Sequence, residues 1–300
     1  MADDLALTTR DADAPSATST RFDWWGEVKG LFWLLLAVLG FHSFIAKPFY
    51  IPSESMLPGL LVGDRLVVSK FAYGWSFVSP TIPNPVAIVE DVVFRHPADS
   101  WAVQLPFIKG RFWGSMPERG DVVIVTPPGQ NSDYIKRVIG LPGDTIQMRR
   151  GQVILNGVPV PKQRVADFVL PLTANFNEQK CGATFVDVDA KGQPICRYPQ
   201  FRETLPNGKS YMVLDQADIP QADDTGLYTV PAGSVFLMGD NRDDSADSRF
   251  APPVGMGYIP MERIEGKALV GFWSTDGSAE WLKPWTWVTA ARWNRIGEGF

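Results

Sequence analysis

The chain has 300 residues, a length that suits about two domains, and its 28 Lys and Arg against 33 Asp and Glu leave a net charge of −5. That balance excludes a strongly basic nucleic-acid surface, and 27 Gly with 25 Pro disfavour a helical bundle by scattering breaks along the chain. With only two His and two Cys, a zinc site made of those residue types would need all four together.

Residues 1–29 read as a polar arm, rich in Ala, Ser, Thr and Asp and without apolar periodicity, which is expected to be disordered. Residues 30–46, GLFWLLLAVLGFHSFIA, carry no formal charge and sit between Lys29 and Lys47. At 1.5 Å per residue the run spans about 25 Å, the short end for a transmembrane helix. It is apolar on every side up to His42, which argues against a core helix with one buried stripe. A cleaved signal peptide fits poorly with the acidic leader and with Phe44 three residues before Ala46. A re-entrant segment stays open as an alternative. Arg21 and Lys29 precede the run while Lys47 and Arg65 follow it, so charge alone does not orient it.

Beyond the apolar run the pattern turns to short β-branched segments bounded by Gly, Pro and Asp. Strands are expected at 65–70, 86–94, 121–126, 134–139, 145–149, 235–238 and 268–273. Asn156-Gly157 between Val153–Leu155 and Val158–Val160 signals a two-residue hairpin, and Asn207-Gly208 before Ser210–Leu214 is a second candidate. The stretch 74–117 is rich in Trp, Phe and Pro and has no clear place in this pattern. All eleven Trp lie at 24–113 or 273–293. Two readings compete for them, an interfacial belt against lipid and an aromatic edge of the core.

Three segments carry chemistry. Ile51-Pro52-Ser53-Glu54-Ser55-Met56-Leu57-Pro58 follows the apolar run, and its prolines rule out a continuous helix. Its serines therefore lie on an extended or turned backbone, either presented to a cleft or simply part of a linking loop. In Asp133-Tyr134-Ile135-Lys136-Arg137-Val138, a strand places Lys136 on one face with Tyr134 and Val138. Desolvation there would lower the lysine pKa and make a general base; the alternative is a lysine that extends its head to water. The third segment, Gly239-Asp240-Asn241-Arg242-Asp243-Asp244-Ser245-Ala246-Asp247-Ser248-Arg249, suits a loop held by charged pairs. An EF-hand calcium loop does not fit it, because Ser245 and Ala251 stand where Gly and Glu belong. Both histidines are badly placed for a Ser-His-Asp triad, and a Ser-Lys pair needs neither.

Together, PSxSM, YIKR followed by GLPGD, and GDNRDxSxDSR resemble the bacterial type I signal peptidases, membrane-anchored Ser/Lys endopeptidases. The resemblance runs from about Phe49 to Arg249 and includes Arg119-Gly120-Asp121. It implies Ser55 as nucleophile, Lys136 as general base, and Ser53 as side-chain donor to the oxyanion. Ser245 would orient the lysine amine, with Asp247 and Arg249 as a supporting ion pair. Phe49, Ile51, Pro52, Met56, Tyr134, Ile135 and Ala246 would line pockets for small residues, with no charged side chain among them. Glu54 departs from the pattern, standing where glycine is common; its carboxylate is expected either to point to solvent or to perturb the site.

The architecture implied is mainly β. One N-terminal transmembrane helix, 30–46, would precede an antiparallel catalytic region at 47–300, interrupted by the insertion at 74–117 and a second β subdomain at 145–232. The implied activity is removal of signal peptides from exported preproteins, cutting after Ala or similar residues at −1 and −3. It would take place on the outer face of the cytoplasmic membrane, with preproteins and membrane lipid as partners, no nucleic acid, no metal and no cofactor. Such an export-side domain further implies a Cys181–Cys196 disulfide, with the Gly192-Gln193-Pro194 turn signal between the two cysteines. A self-cleaving Ser/Lys peptidase and a non-catalytic tethered β-domain remain as alternatives.

Overall fold

The computed structural model describes residues 23–80, 82–83, 102–103, 110–130, 132–280 and 282–300. The strand expected at 86–94, Trp281 and residues 1–22 of the arm lie outside the described residues. The described residues fall into two compact units, divided between Val38 and Leu39.

The apolar helix is Trp24–Phe44, so it starts six residues earlier than the uncharged run and ends two residues sooner. The Asp23 carboxylate accepts from the Gly26 N–H at 3.0 Å, a cap that lets Glu27 and Lys29 join the first turns as ordinary helix formers. At the other end Ala46 and Lys47 leave the helix for a strand. Leu31, Leu35 and Leu36 are all about half exposed, as expected for a helix whose apolar surface no protein core covers. It is long and apolar enough to cross a membrane.

A seven-stranded antiparallel sheet organises residues 39–300. Its order is Ala46–Tyr50, Asp64–Ser69, Ile264–Ser274, Val122–Val125, Tyr134–Gly140, Ser234–Met238 and Ile259–Pro260. The 11-residue strand Ile264–Ser274 is inserted between early strands, and register shifts along it curl the sheet. Alternation puts Val122 and Ile124 into one core with Ile51, Met56 and Ile135, and Val123 and Val125 into another with Val138 and Leu237. Both faces are thus buried, and these strands read as continuous apolar runs.

The strands between 145 and 229 form smaller sheets within the same compact unit. At the expected hairpin Asn156 and Gly157 have φ of 52° and 79°, the left-handed pair that a two-residue turn between twisted strands requires. Ile146, Met148, Val153 and Val213 from these strands pack against Ile139, Phe236 and Met238 of the main sheet. Cys181 and Cys196 are bridged, with Cα atoms 5.8 Å apart. The described ends of the 74–117 stretch are clasped: Trp75 and Phe112 exchange backbone hydrogen bonds of 3.0 and 2.9 Å, and the Arg111 guanidinium donates to the carbonyls of Tyr73 and Gly74.

Candidate active site

The loop between the first two strands of the sheet carries Ser53 and Ser55. Backbone bonds from Ile51 to Asp64 and from Gly63 back to Ile51, both 2.9 Å, close its base. The Asp64 carboxylate accepts from the Leu61 N–H at 2.8 Å and pairs with Arg295 at 2.8 Å. Ile51, Met56, Leu57 and Leu60 are buried beneath, so the apolar half of the loop fixes the polar half. Asn241 holds the loop from the other side, its N–H donating to the Ser55 carbonyl at 3.1 Å and its Nδ2 to the Glu54 carbonyl at 3.3 Å.

Lys136 lies mid-strand with 2% of its surface exposed. Its Nζ is 2.7 Å from Ser55 Oγ and 2.9 Å from the Ile135 carbonyl. Burial pushes the lysine pKa down to about 8, helped by the Arg249 charge and opposed by Asp247, Asp240 and Asp244. Asp247 is itself occupied: Arg249 donates to its two oxygens at 2.9 and 3.0 Å, and the Gly239 N–H donates at 3.0 Å. Those contacts keep the Asp247 carboxyl below its ordinary pKa although burial alone would raise it. Gly239 is irreplaceable by anything larger, since a Cβ would sit 2.3 Å from Ser245 Oγ and 2.5 Å from the Ser55 carbonyl.

A cleft of about 390 Å³ opens over this pair, lined in part by Phe49, Ile51, Pro52, Ser53, Ser55, Tyr134, Ile135, Lys136 and Ala246. Met56 is not in its wall; it is 1% exposed and packs beneath the loop with Leu60 and Leu66. The hydrogen bond expected from Ser245 to the lysine amine is not formed in this structure. Lys136 already has Ser55 and Ile135 as partners, and Ser245 Oγ is buried without one. Glu54 does not point to solvent: its carboxylate turns to Lys180, 2.9 Å away, whose Nζ also donates to the Pro52 carbonyl at 3.2 Å, and its charge still reaches Asp244 in the cleft wall.

The cleft wall is also less apolar than the sequence suggested, because Ser132, Asp133 and Asp244 belong to it. The Asp133 pKa is raised to about 6 by burial and by Glu265 facing it, with Lys47 opposing. Burial and the Glu54 charge push Asp244 up as well. Two further buried ion pairs brace the loop at 239–249. Arg137 donates to Asp240 at 2.8 and 2.6 Å, and Arg242 donates to Glu203 at 2.7 Å. Arg137 and the GDNRD run were visible as charges; their partners, such as Glu203, 39 residues from Arg242, had no local signal.

A buried serine hydroxyl thus lies against a buried lysine amine in an antiparallel β scaffold. The chain belongs to the signal peptidase, peptidase S26 family, whose model matches residues 24–273. It is 30% identical over 289 residues to a signal peptidase I of Rickettsia typhi, covering 90% of this chain and 91% of that protein. A signal peptidase I of Rickettsia akari is 29% identical over 308 residues, covering 97% of each. Among solved structures, a signal peptidase I from Enterococcus faecalis matches 51% of this chain and 97% of its own at 24% identity and a TM-score of 0.27. Family and apolar helix together fit a single-pass membrane protein.

Proposed function

We propose that this protein removes signal peptides from exported preproteins, with Ser55 as nucleophile and Lys136 as general base. The observation that carries the reading is the 2.7 Å contact between Lys136 Nζ and Ser55 Oγ beneath a cleft of about 390 Å³. When the amine is neutral, its lone pair accepts the Ser55 proton as Oγ attacks the scissile carbonyl, and the resulting ammonium returns that proton to the leaving amine. Ser53, in the cleft wall, supplies a hydroxyl donor to the oxyanion. Asp247 and Arg249 hold the 239–249 loop against the dyad. An extended substrate alternates its side chains, so the residues at −1 and −3 face the same wall. Phe49, Ile51, Tyr134, Ile135 and Ala246 favour small apolar groups there, and Asp133 and Asp244 repel acidic ones. The helix Trp24–Phe44 anchors the catalytic region at the outer face of the cytoplasmic membrane, where preproteins emerge.

Purified full chain in detergent, incubated with a preprotein carrying Ala at −1 and −3, should release one signal peptide and one mature chain. Trp or Asp at −1 should slow release by at least about tenfold, the scale of a poor fit in a specificity pocket. Absence of cleavage, or equal cleavage of all three substrates, rejects the reading.

A further inference from the structure

Away from the cleft, three carboxylates from separate stretches of chain converge. Asp215 follows the strand Ser210–Leu214, Asp223 ends the short helix Pro220–Asp223, and Asp243 belongs to the 239–249 loop. One oxygen from each lies within 4.8 Å of the other two. Asp223 is only 3% exposed, and although its Oδ2 accepts from the Ile219 N–H at 2.7 Å, its Oδ1 is buried with no hydrogen-bond partner. Asp243 repeats the pattern: Oδ2 accepts from the Ala217 N–H at 2.9 Å, while Oδ1 is buried and unpaired. Buried carboxylate oxygens without donors are costly and rare in native proteins, so each calls for a partner.

The cations present do not supply it. Lys162 pairs with Asp215 and donates to the Gly151 carbonyl at 2.7 Å. Arg249 is engaged by Asp247. A cavity of about 380 Å³ opens here, lined by Gly151, Asp215 and Asp223 among others.

The donor set is oxygen only, which selects a hard cation over zinc or copper. Ca²⁺ accepts irregular oxygen donors at about 2.3–2.6 Å, whereas Mg²⁺ demands a near-ideal octahedron at about 2.0–2.1 Å. We propose that Asp215, Asp223 and Asp243 bind a Ca²⁺ ion that fastens the 239–249 loop to the 215–223 segment. Only Asp243 comes from the motif loop, so the misfit of that loop to the EF-hand pattern has no bearing on this site.

The full chain in detergent, freed of divalent ions with EGTA, is titrated calorimetrically with CaCl₂ and separately with MgCl₂. One saturable Ca²⁺ site is expected, tighter than Mg²⁺, with affinity reduced at least about tenfold in Asp223→Asn and in Asp243→Asn because each removes a charged ligand. At the same concentration CaCl₂ should raise the Tm of the parent protein more than that of either variant. The parent protein alone keeps the proposal falsifiable if a variant misfolds: no saturable binding up to about 10 mM, beyond the range of weak extracellular calcium sites, overturns it. Unaltered affinity in both folded variants overturns the location, and Mg²⁺ binding as tight as Ca²⁺ overturns the choice of ion.

Discussion

Lys70 and Lys136 are almost equally buried, at 0% and 2% exposure, yet their surroundings assign them opposite work. Lys70 makes an ion pair with Glu265 and donates to the Ser79 carbonyl at 2.9 Å. Lys136 has a hydroxyl and a carbonyl as its hydrogen-bond partners and no carboxylate among them. Burial lowers both pKa values, but Glu265 pulls that of Lys70 back up, whereas Lys136 is left at about 8. Asp247 is the charge that most opposes this lowering, and Arg249 already occupies its oxygens. Near the proposed base, Asp247 and Asp240 are committed to Arg249 and Arg137, whereas Lys70 has Glu265 in direct contact.

The largest effects expected from this contrast lie at the dyad. Ser55→Ala and Lys136→Met should each lower kcat/KM by at least about 10³-fold, and the double variant should be no worse than either, because the two side chains act as one unit. Lys136→Arg should be as inert as Lys136→Met, since a guanidinium stays protonated. Kinetics on variants with parental circular dichroism decide the matter; a folded Lys136→Arg enzyme of near-parental activity would end the Ser/Lys mechanism.

Lys70→Met should behave in reverse. It leaves Glu265, 3% exposed, with Lys47 at 3.2 Å as its remaining cation among the described residues and with Asp133 facing it. Breaking a buried pair in this way costs about 3–5 kcal/mol of stability, and the remaining Lys47 contact places the loss toward the lower end. Adding Glu265→Gln should recover part of it. Denaturant unfolding measures the loss, and kcat of the folded fraction should stay parental. A stable Lys70→Met protein with a collapsed kcat would erase the distinction between the two lysines.

How much of this was legible in the sequence follows the range of the interactions. The hairpin at Asn156-Gly157 and the strands around Val122–Val125 and Tyr134–Gly140 are local consequences of turn chemistry and β-branching, and they stand where expected within a residue or two. Ser55 and Lys136 were readable through their motifs, although a spacing of 81 residues says nothing about a 2.7 Å contact. The helix starts earlier than its uncharged run because formal charge does not bound a helix, and an Asp23 cap lets charged residues enter the first turns. The fates of Glu54 and Met56 were hidden for a different reason. Lys180, 126 residues on, captures Glu54, and the fold of the loop turns Met56 under rather than outward. Long-range pairing between charged side chains leaves no periodicity to read.

The finest distinction between the two lysines is in pH dependence. For a general base the neutral form is active, and below its pKa the neutral fraction grows tenfold per pH unit. With Lys136 near 8, kcat/KM should rise with unit slope from about pH 6, bend near pH 8 and level off above. Arg249→Gln would free Asp247 to attract the Lys136 proton, so the bend should move to higher pH while the unit slope remains. Lys70→Met should leave the bend nearly in place, because Lys70 is not among the largest influences on the Lys136 pKa. Profiles measured on the parent and both variants, with a substrate lacking titratable groups near the cut, separate these outcomes. A flat parent profile between pH 6 and 9 would mean that Lys136 is not the group whose deprotonation limits the reaction, and a bend that follows Lys70→Met instead of Arg249→Gln would exchange the roles assigned to the two regions.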